Sequence, residues 1–274
     1  GRMLKAVLEK NAADMRVNSP VNEVIIEDGK VLGVVTVKDG KPWRVGANLG
    51  VLINAGGFSQ NQAMRDKYMP GTRAAWSNGI ETDHGDMHLE LERKGAALGQ
   101  MDQMVGFQMT EAPGWDTGYV KPGTQSTTAK PHAIQVDQSG VRYMNEGGSY
   151  EEFCENMLIR NRTVPAIPSW AIMDQQYMDE YDVAGQGKAK KNLTKWLQSG
   201  WMKRADSIEE LANAINVPAD ALKNTVGRWN GFVRGGKDED FLRGERAYDN
   251  FLGDPFFTDG PNKSMGTIEK GPFY

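Results

Sequence analysis

The sequence has few residues of the kinds that build disulfide or metal frameworks. Its 274 residues include one cysteine, Cys154, and three histidines. One cysteine cannot form an internal disulfide, and its place in a helical pattern favours a buried, inert thiol over a nucleophile. A reducing, cytoplasmic location is therefore the expectation. His84 and His88 lie four residues apart, but Gly85 stands where a zinc-protease helix carries glutamate, so we predict no metal site.

Long apolar runs and blocks of one charge are also absent. No apolar stretch approaches the ~18–20 residues that a membrane-spanning helix needs, and the first ten residues carry charge where a signal peptide has an apolar core. Thirty-two Lys and Arg against 36 Asp and Glu give a net charge of −4, with no basic stripe. Neither nucleic acid nor an anionic membrane is favoured as a partner. With 39% hydrophobic residues, the chain can bury a core as one large or two small domains.

Two fingerprints of common enzyme classes are missing. No Gly-x-Gly-x-x-Gly opens a strand–helix unit, which is the loop that holds the pyrophosphate of a dinucleotide. Ser59 follows Phe58 and not a Gly-x-Ser-x-Gly turn, so Ser-His-Asp catalysis has no support.

The stretch that organises the chain is Val51–Phe58, an apolar run with Gly56-Gly57 near its end. It predicts a buried strand that ends in a turn or beside a ligand, since glycine lets bare backbone approach closely. The residues ahead of it predict a helix and a β-meander. The helix rests on Leu4, Val7, Leu8 and Ala12, the strands are Met15–Asn18, Val21–Glu27, Val31–Lys38 and Pro42–Val45, and the hairpin turns are Asp28-Gly29 and Asp39-Gly40.

From residue 59 onward, longer polar helices predominate. The best helix start is Ser149, whose capping box with Glu152 makes Tyr150 the first helical residue. The other predicted elements are helices at Gln62–Lys67 and His84–Lys94, after the capping box at Ser207 and after Pro218, strands at Leu98–Thr110 and Pro168–Asp174, a hairpin of His132–Asp137 with Val141–Met144, and loops at Gly185–Lys191 and Asp254–Tyr274. The residues alone therefore predict a two-part α+β protein with a glycine-lined junction.

Ordered motifs along nearly the whole chain carry a family resemblance. They are Val51–Phe58, Met64–Tyr68, Asp83–Asp86, Gly95–Leu98, Gly140–Glu146 ahead of Tyr150, Arg228–Phe232, Asp238–Phe241, Arg243–Glu245, Tyr248-Asp249, Gly253–Pro255 and Gly271–Tyr274. In these motifs the chain resembles the flavoprotein family of fumarate reductases and 3-ketosteroid dehydrogenases. Within that family it is most similar to the 3-ketosteroid Δ1-dehydrogenase-like branch.

The resemblance implies a Rossmann-type FAD-binding domain that is interrupted by an inserted α+β cap, with substrate held between cap and flavin. Residues 1–58 would be a partial FAD-binding domain, 59–250 the substrate cap, and 251–274 a return segment. The chain would then be a fragment of an FAD enzyme. Because the pyrophosphate loop is missing from this sequence, we expect the chain alone to bind FAD weakly or not at all.

The resemblance also implies site residues. Contacts with the adenine side of FAD would fall on Val21, Ala55, Gly56 and Gly57, and the turn that faces the flavin would include Gly85 and Asp86. Substrate contacts would involve Asn145 and Glu146. The catalytic base would be Tyr150. The turn departs from the family pattern because Met87 replaces a glycine, and Ser149 stands where the family commonly has proline before the tyrosine. A phenol, with an ordinary pKa of about 10, is a poor base at neutral pH unless its anion is stabilised, and a helix N-terminus supplies a suitable field.

The implied activity is dehydrogenation of a steroid-like ketone, in which a base removes a proton beside the carbonyl and flavin accepts hydride from the neighbouring carbon. One alternative is a fumarate-reductase-like enoate reductase, which would need cationic groups such as Arg142 or Arg160. Arg142 is more simply interpreted as a charge on a strand surface. The other alternative is a non-catalytic cap domain without cofactor.

Overall fold

The computed structural model describes residues 2–11, 13–110, 113, 125–185 and 187–274. The chain divides into two compact units, Gly1–Asp102 and Gln103–Tyr274. This division lies well after residue 58, where the sequence pattern changes from strands to longer polar helices. The assignment of 1–58, 59–250 and 251–274 to flavin-binding, cap and return segments stays a prediction.

The first unit begins with helix α1 (Arg2–Lys10), as the apolar spacing predicted. Strands β1 (Glu23–Glu27), β2 (Lys30–Lys38) and β3 (Lys41–Gly46) follow and form an antiparallel sheet in that order. Both predicted hairpin turns are confirmed. Asp28 and Gly29 have φ of 52° and 74°, and Asp39 and Gly40 have φ of 49° and 74°. Two consecutive positive φ values give the turn whose twist matches that of paired strands.

Three predicted strands in this part of the chain are wrong. Met15–Asn18, Val51–Asn54 and Leu98–Thr110 form no strand in the structure. Leu52, at the centre of the apolar run, is 92% exposed. An apolar run reveals a preference for burial, but a strand also needs a neighbour for its backbone hydrogen bonds. None of the described strands lies alongside Val51–Asn54.

Both helices predicted for the rest of the first unit are present, with loops between them. Helix α2 (Gln62–Tyr68) is capped by Asn61, a short 3₁₀ helix covers Ala74–Trp76, and helix α3 (Asp86–Arg93) follows Gly85. The buried Glu90 on α3 accepts a hydrogen bond from the backbone N–H of Val24 at 3.0 Å. This bond fixes α3 against the edge of the sheet.

The second unit contains most of the helices in the described part of the chain. Its elements are α4 (Gln125–Thr128), β4 (Ala133–Val136), α5 (Tyr150–Asn161), β5 (Trp170–Met173), α6 (Gln175–Glu180), α7 (Ala189–Gln198), α8 (Ile208–Ala214), α9 (Ala219–Gly235) and α10 (Ala247–Leu252). The capping boxes correctly predicted the starts of α5 and α8. The predicted loop at Gly185–Lys191 is shorter than expected, because α7 already begins at Ala189.

The predicted hairpin in this unit is wrong. β4 pairs antiparallel with β5, and Val141–Met144 forms no strand. The turn itself exists, because Asp137 accepts hydrogen bonds from the N–H groups of Ser139 and Val141 at 2.8 and 3.2 Å. After the turn the chain carries Arg142 into the interior, where the guanidinium pairs with buried carboxylates. The segment Val141–Met144 is therefore held by side-chain ion pairs and not by strand pairing with β4.

The main core of the second unit packs around α9. Leu222, Val226, Trp229 and Val233 are buried on one face of this helix, as their spacing predicted. β4, β5 and α8 cover that face. Within the loop that follows α10, Met265 and Ile268 also belong to this core. No helix in the described part of the chain is long and apolar enough to cross a membrane.

Candidate functional site

Tyr150 is the first residue of α5 and is 40% exposed. Ser149 has extended backbone, and its hydroxyl accepts the N–H of Glu152 at 3.2 Å. This cap fixes where the helix begins. The phenol of Tyr150 therefore lies at the positive end of a helix, where negative charge is stabilised.

Glu146 is fully buried four residues before Tyr150. Its Oε1 accepts from Nε of Arg142 at 2.8 Å and from the N–H of Gln135 at 3.0 Å. Its Oε2 accepts from Nη2 of Arg142 at 2.7 Å and from Nη1 of Arg243 at 3.3 Å. Both oxygens of this predicted substrate residue are thus bonded to groups of the protein.

Arg142 lies between two buried carboxylates, so its interpretation as a strand-surface charge is wrong. Its Nη2 also donates to Oδ2 of Asp238 at 2.9 Å, and its guanidinium lies 4.5 Å from the ring centre of Trp229. Burial disfavours the cation, but the charges and hydrogen bonds of Glu146 and Asp238 outweigh burial and raise the pKa of Arg142. Arg142 stays a cation at every physiological pH.

Arg243 completes the group with Arg142, Glu146 and Asp238, which we call the buried charge cluster. Burial lowers the pKa of Arg243 to about 10, opposed by the charge of Glu146. Its guanidinium lies 4.9 Å from the ring centre of Trp229, and Nη1 donates to the backbone carbonyl of Ala133 at 2.9 Å. Two cations and two anions balance, which is the condition for burying four charges together.

Sequence reasoning missed this cluster. Arg142 and Glu146 are four residues apart, a spacing that suggests a pair only where the backbone is helical. Asp238 and Arg243 lie about a hundred positions further on. Both residues belong to family motifs, but no local pattern in the sequence shows that they meet Glu146.

Asn145, the other predicted substrate residue, is also buried. Its side-chain amide donates to Oδ2 of Asp249 at 3.0 Å, and its carbonyl oxygen accepts the N–H of Gly147 at 2.8 Å. The chain that leads into Tyr150 is therefore anchored at two consecutive side chains, Asn145 and Glu146.

The first unit brings several predicted cofactor residues together. Gly56 has a φ of 78°, and a Cβ on it would collide with Oδ1 of Asp83. Asp83 lies in the turn that contains Gly85 and leads into Asp86, which is exposed at the start of α3. Val21 lies apart from this group in sequence, two residues before β1.

The segment Ala55–Gly57 fits a role in which bare backbone approaches a cofactor. A Cβ on Gly57 would find nothing within 4 Å. Within the described part of the chain, the N–H groups of Ala55, Gly56 and Gly57 donate no backbone hydrogen bond. Unpaired N–H groups beside open space can bind an acceptor atom of a ligand.

Gly85 has a different reason to be glycine. It is buried with a φ of 77°, and a Cβ on it would lie 2.6 Å from Sδ of Met64 and 2.8 Å from Cβ of Phe58. Close packing thus explains this position without a ligand. In the described ranges, no three His, Cys, Asp or Glu side chains come close enough to hold a metal ion.

Comparison with known proteins gives matches along the whole chain. A family model described as an FAD binding domain matches residues 1–274. The chain is 36% identical to the 3-oxosteroid 1-dehydrogenase of Mycolicibacterium smegmatis, over 99% of this chain and 48% of that protein. It is 32% identical to the 4-oxocyclohex-2-ene-1-carboxylate 5-dehydrogenase of Sinomonas cyclohexanicum, over 100% of this chain and 48% of that protein.

A solved structure of a related dehydrogenase also matches along nearly the whole chain. The 3-ketosteroid delta1-dehydrogenase of Sterolibacterium denitrificans, crystallised in complex with 1,4-androstadiene-3,17-dione, matches with a TM-score of 0.83 and 29% identity. The match covers 98% of this chain and 49% of that one. The chain thus spans about half the length of each of these three relatives. Its mixture of helices and small sheets is like that of these dehydrogenases.

Proposed function

Because the chain belongs to the FAD binding domain family, as its motifs predicted, we propose that its full-length protein is an FAD-dependent dehydrogenase of a 3-ketosteroid-like ketone. The observation that carries the proposal is the position of Tyr150. It is an exposed phenol at the N-terminus of α5, in a chain that is 36% identical to a 3-oxosteroid 1-dehydrogenase.

The proposed mechanism gives Tyr150 the role of general base. Its phenolate oxygen takes a proton from the carbon beside the ketone, and the helix N-terminus stabilises that anion until it is protonated. When bound, FAD supplies the acceptor for the hydride that leaves the adjacent carbon. Loss of one proton and one hydride leaves a carbon–carbon double bond conjugated with the ketone.

The cofactor contacts are part of the proposal. Backbone N–H groups of Ala55, Gly56 and Gly57 would bind the adenine side of FAD, with Val21 nearby, and the turn with Gly85 and Asp86 would face the flavin. The open space at Gly57 supports the first of these contacts. The chain alone would bind FAD weakly or not at all, because its sequence holds no Gly-x-Gly-x-x-Gly loop.

Substrate contact by Asn145 and Glu146 stays a prediction. Each described hydrogen bond of their side chains is made to another protein group. A direct contact with substrate would require one of these bonds to be exchanged. A cytoplasmic location of the full-length protein, which the single cysteine favours, is likewise a prediction.

The enoate-reductase alternative has less support. It needs a cation that is free to bind a carboxylate or to protonate carbon. Arg142 is held by Glu146 and Asp238, and Arg160 pairs with the buried Asp137 at 2.7 Å. The non-catalytic alternative is tested by a visible spectrum of the full-length protein, since bound flavin absorbs visible light and the apoprotein does not.

The experiment that tests the proposal is Tyr150→Phe in the full-length protein. This change removes the atom that takes the proton and keeps the ring. Turnover of a 3-ketosteroid should fall by about 10²- to 10⁴-fold, the usual contribution of a general base, with flavin content unchanged. Tyr248→Phe is the matched control, because Tyr248 is 41% exposed in the same unit. Near-normal turnover of Tyr150→Phe with a full complement of flavin would remove Tyr150 from the mechanism.

A further inference from the structure

The segment that leads into Tyr150 rests on a second buried carboxylate, that of Asp249 on α10. Asp249 is fully buried, and its Oδ2 accepts from the side-chain amide of Asn145 at 3.0 Å and from the N–H of Gly244 at 2.9 Å. A Cβ on Gly147 would lie 2.8 Å from Cβ of Asp249. The backbone three residues before Tyr150 therefore packs directly on the Asp249 side chain.

Arg246 joins this carboxylate to the far side of Tyr150. Its Nε donates to Oδ1 of Asp249 at 3.0 Å, and its Nη1 donates to Oε1 and Oε2 of Glu152 at 3.3 and 3.0 Å. Glu152 lies in the first turn of α5, two residues after Tyr150. A Cβ on Gly148 would lie 2.7 Å from Oε2 of Glu152, so this carboxylate covers the backbone just before the helix.

These contacts leave Tyr150 between two anchored points. From them we infer that Arg246 is a positioning residue, which holds the first turn of α5 so that the Tyr150 phenol has a fixed place relative to its substrate. This inference rests on the proposed role of Tyr150 as the base. Arg246 itself need not touch substrate.

The link that Arg246 makes between Asp249 and Glu152, which we call the bridge, matters because Gly147 and Gly148 precede the helix. Glycine has more accessible backbone conformations than any other residue, so the Gly147-Gly148 segment does not by itself fix the position of the helix that follows it. With the bridge removed, the cap at Ser149 would still start the helix, but Glu152 would lose its tie to the buried Asp249. A displacement of about 1 Å at a reacting group can lower the rate by roughly 10²-fold.

The first experiment measures backbone order without any catalysis. Arg246→Met keeps the apolar stem and removes a guanidinium from a side chain that is 48% exposed. The chain should still fold, because the buried Asp249 carboxylate keeps its hydrogen bonds from Asn145 and Gly244. Amide hydrogen exchange of Gly147, Glu152 and Phe153 should quicken, while exchange within α9 stays unchanged. Arg228→Met is the matched control, because Arg228 forms a similar two-oxygen pair with Asp240. If Arg246→Met and Arg228→Met give the same exchange at these amides, the bridge holds nothing and the inference is wrong.

The second experiment asks whether Arg246 acts through Tyr150. In the full-length holoenzyme, Arg246→Met should lower kcat by roughly 10- to 100-fold, and KM should change by less than about 3-fold, since uniform substrate binding is intact. The same change made in the Tyr150→Phe protein should have little further effect, because coupled residues are not additive. An equal loss of kcat in both backgrounds would refute positioning through Tyr150 and leave the proposed base standing. Full turnover of Tyr150→Phe alone would refute the proposed base, and the positioning role with it.

Discussion

Replacement of Glu146 by glutamine should destabilise the second unit more than any surface substitution. Glutamine has nearly the same shape as glutamate but removes the negative charge. It also replaces one acceptor oxygen with an NH₂ group, which would face a guanidinium donor of Arg142 or Arg243. The buried charge cluster would then hold two cations against Asp238 alone, with no exposed surface to hydrate the excess charge.

The expected loss of unfolding free energy depends on which charges and hydrogen bonds remain after the substitution. Removing one member of a buried ion pair typically costs about 3–5 kcal/mol, because the other charge stays buried without compensation. Glutamine keeps one acceptor, so we expect a loss near the lower limit, about 3 kcal/mol. For a unit of this size, that corresponds to a decrease in Tm of roughly 6–12 °C.

The assay is thermal and urea unfolding of the 274-residue chain, followed by circular dichroism. Glu245→Gln is the matched control, since Glu245 is exposed and forms a long ion pair with Lys237, at 4.0 Å. Such surface pairs contribute at most about 1 kcal/mol. If Glu146→Gln melts within about 2 °C of Glu245→Gln, a difference of less than about 1 kcal/mol, the buried charge cluster does not stabilise the second unit.

Three further predictions concern two glycine positions and pH. Gly85→Ala should destabilise the first unit by about 1–3 kcal/mol, since its Cβ would overlap neighbouring side chains. Gly57→Ala should leave unfolding unchanged but weaken FAD binding by the full-length protein, measured by flavin fluorescence, and unaltered affinity would contradict backbone contact there. Burial opposes the ionised form of Asp238, but its hydrogen bond and charge pairing with Arg142 lower the pKa overall. Its contribution to stability is therefore complete above the unfolded pKa of about 3.9 and is lost as pH falls through the lower folded value. Asp238→Asn should flatten the loss of unfolding free energy below about pH 4, and an unchanged slope in urea titrations would contradict this assignment.

The parts of the fold that sequence predicted are those decided by neighbouring residues. The turns at Asp28-Gly29 and Asp39-Gly40 need only positive φ at two adjacent positions, and Ser149 needs only a nearby N–H. Each can be recognised within about four residues.

The parts that were missed depend on distant partners. β4 has its hydrogen-bonding partner in β5, beyond the whole of α5, and the nearer segment Val141–Met144 had an equally suitable pattern. Glu146 was assigned to the substrate through the family resemblance, and its ion pair with Arg243, 97 positions away, leaves no local signal in the sequence. Within the candidate site, the position of Tyr150 at the start of a helix could be predicted from sequence. The contacts that anchor the segment before Tyr150 could not.

The long separation between partners in the buried charge cluster has a kinetic consequence. Asp238 and Arg243 meet Arg142 and Glu146 only after a loop of nearly a hundred residues has closed, so the chain must lose that entropy before the ion pairs form. We expect these pairs to be weak in the folding transition state and complete only in the native state. Stopped-flow measurements on Glu146→Gln should then show faster unfolding with nearly unchanged folding, whereas slower folding would place the cluster in the nucleus. The four charges would act as a late lock, which determines how long the unit stays folded more than how fast it folds.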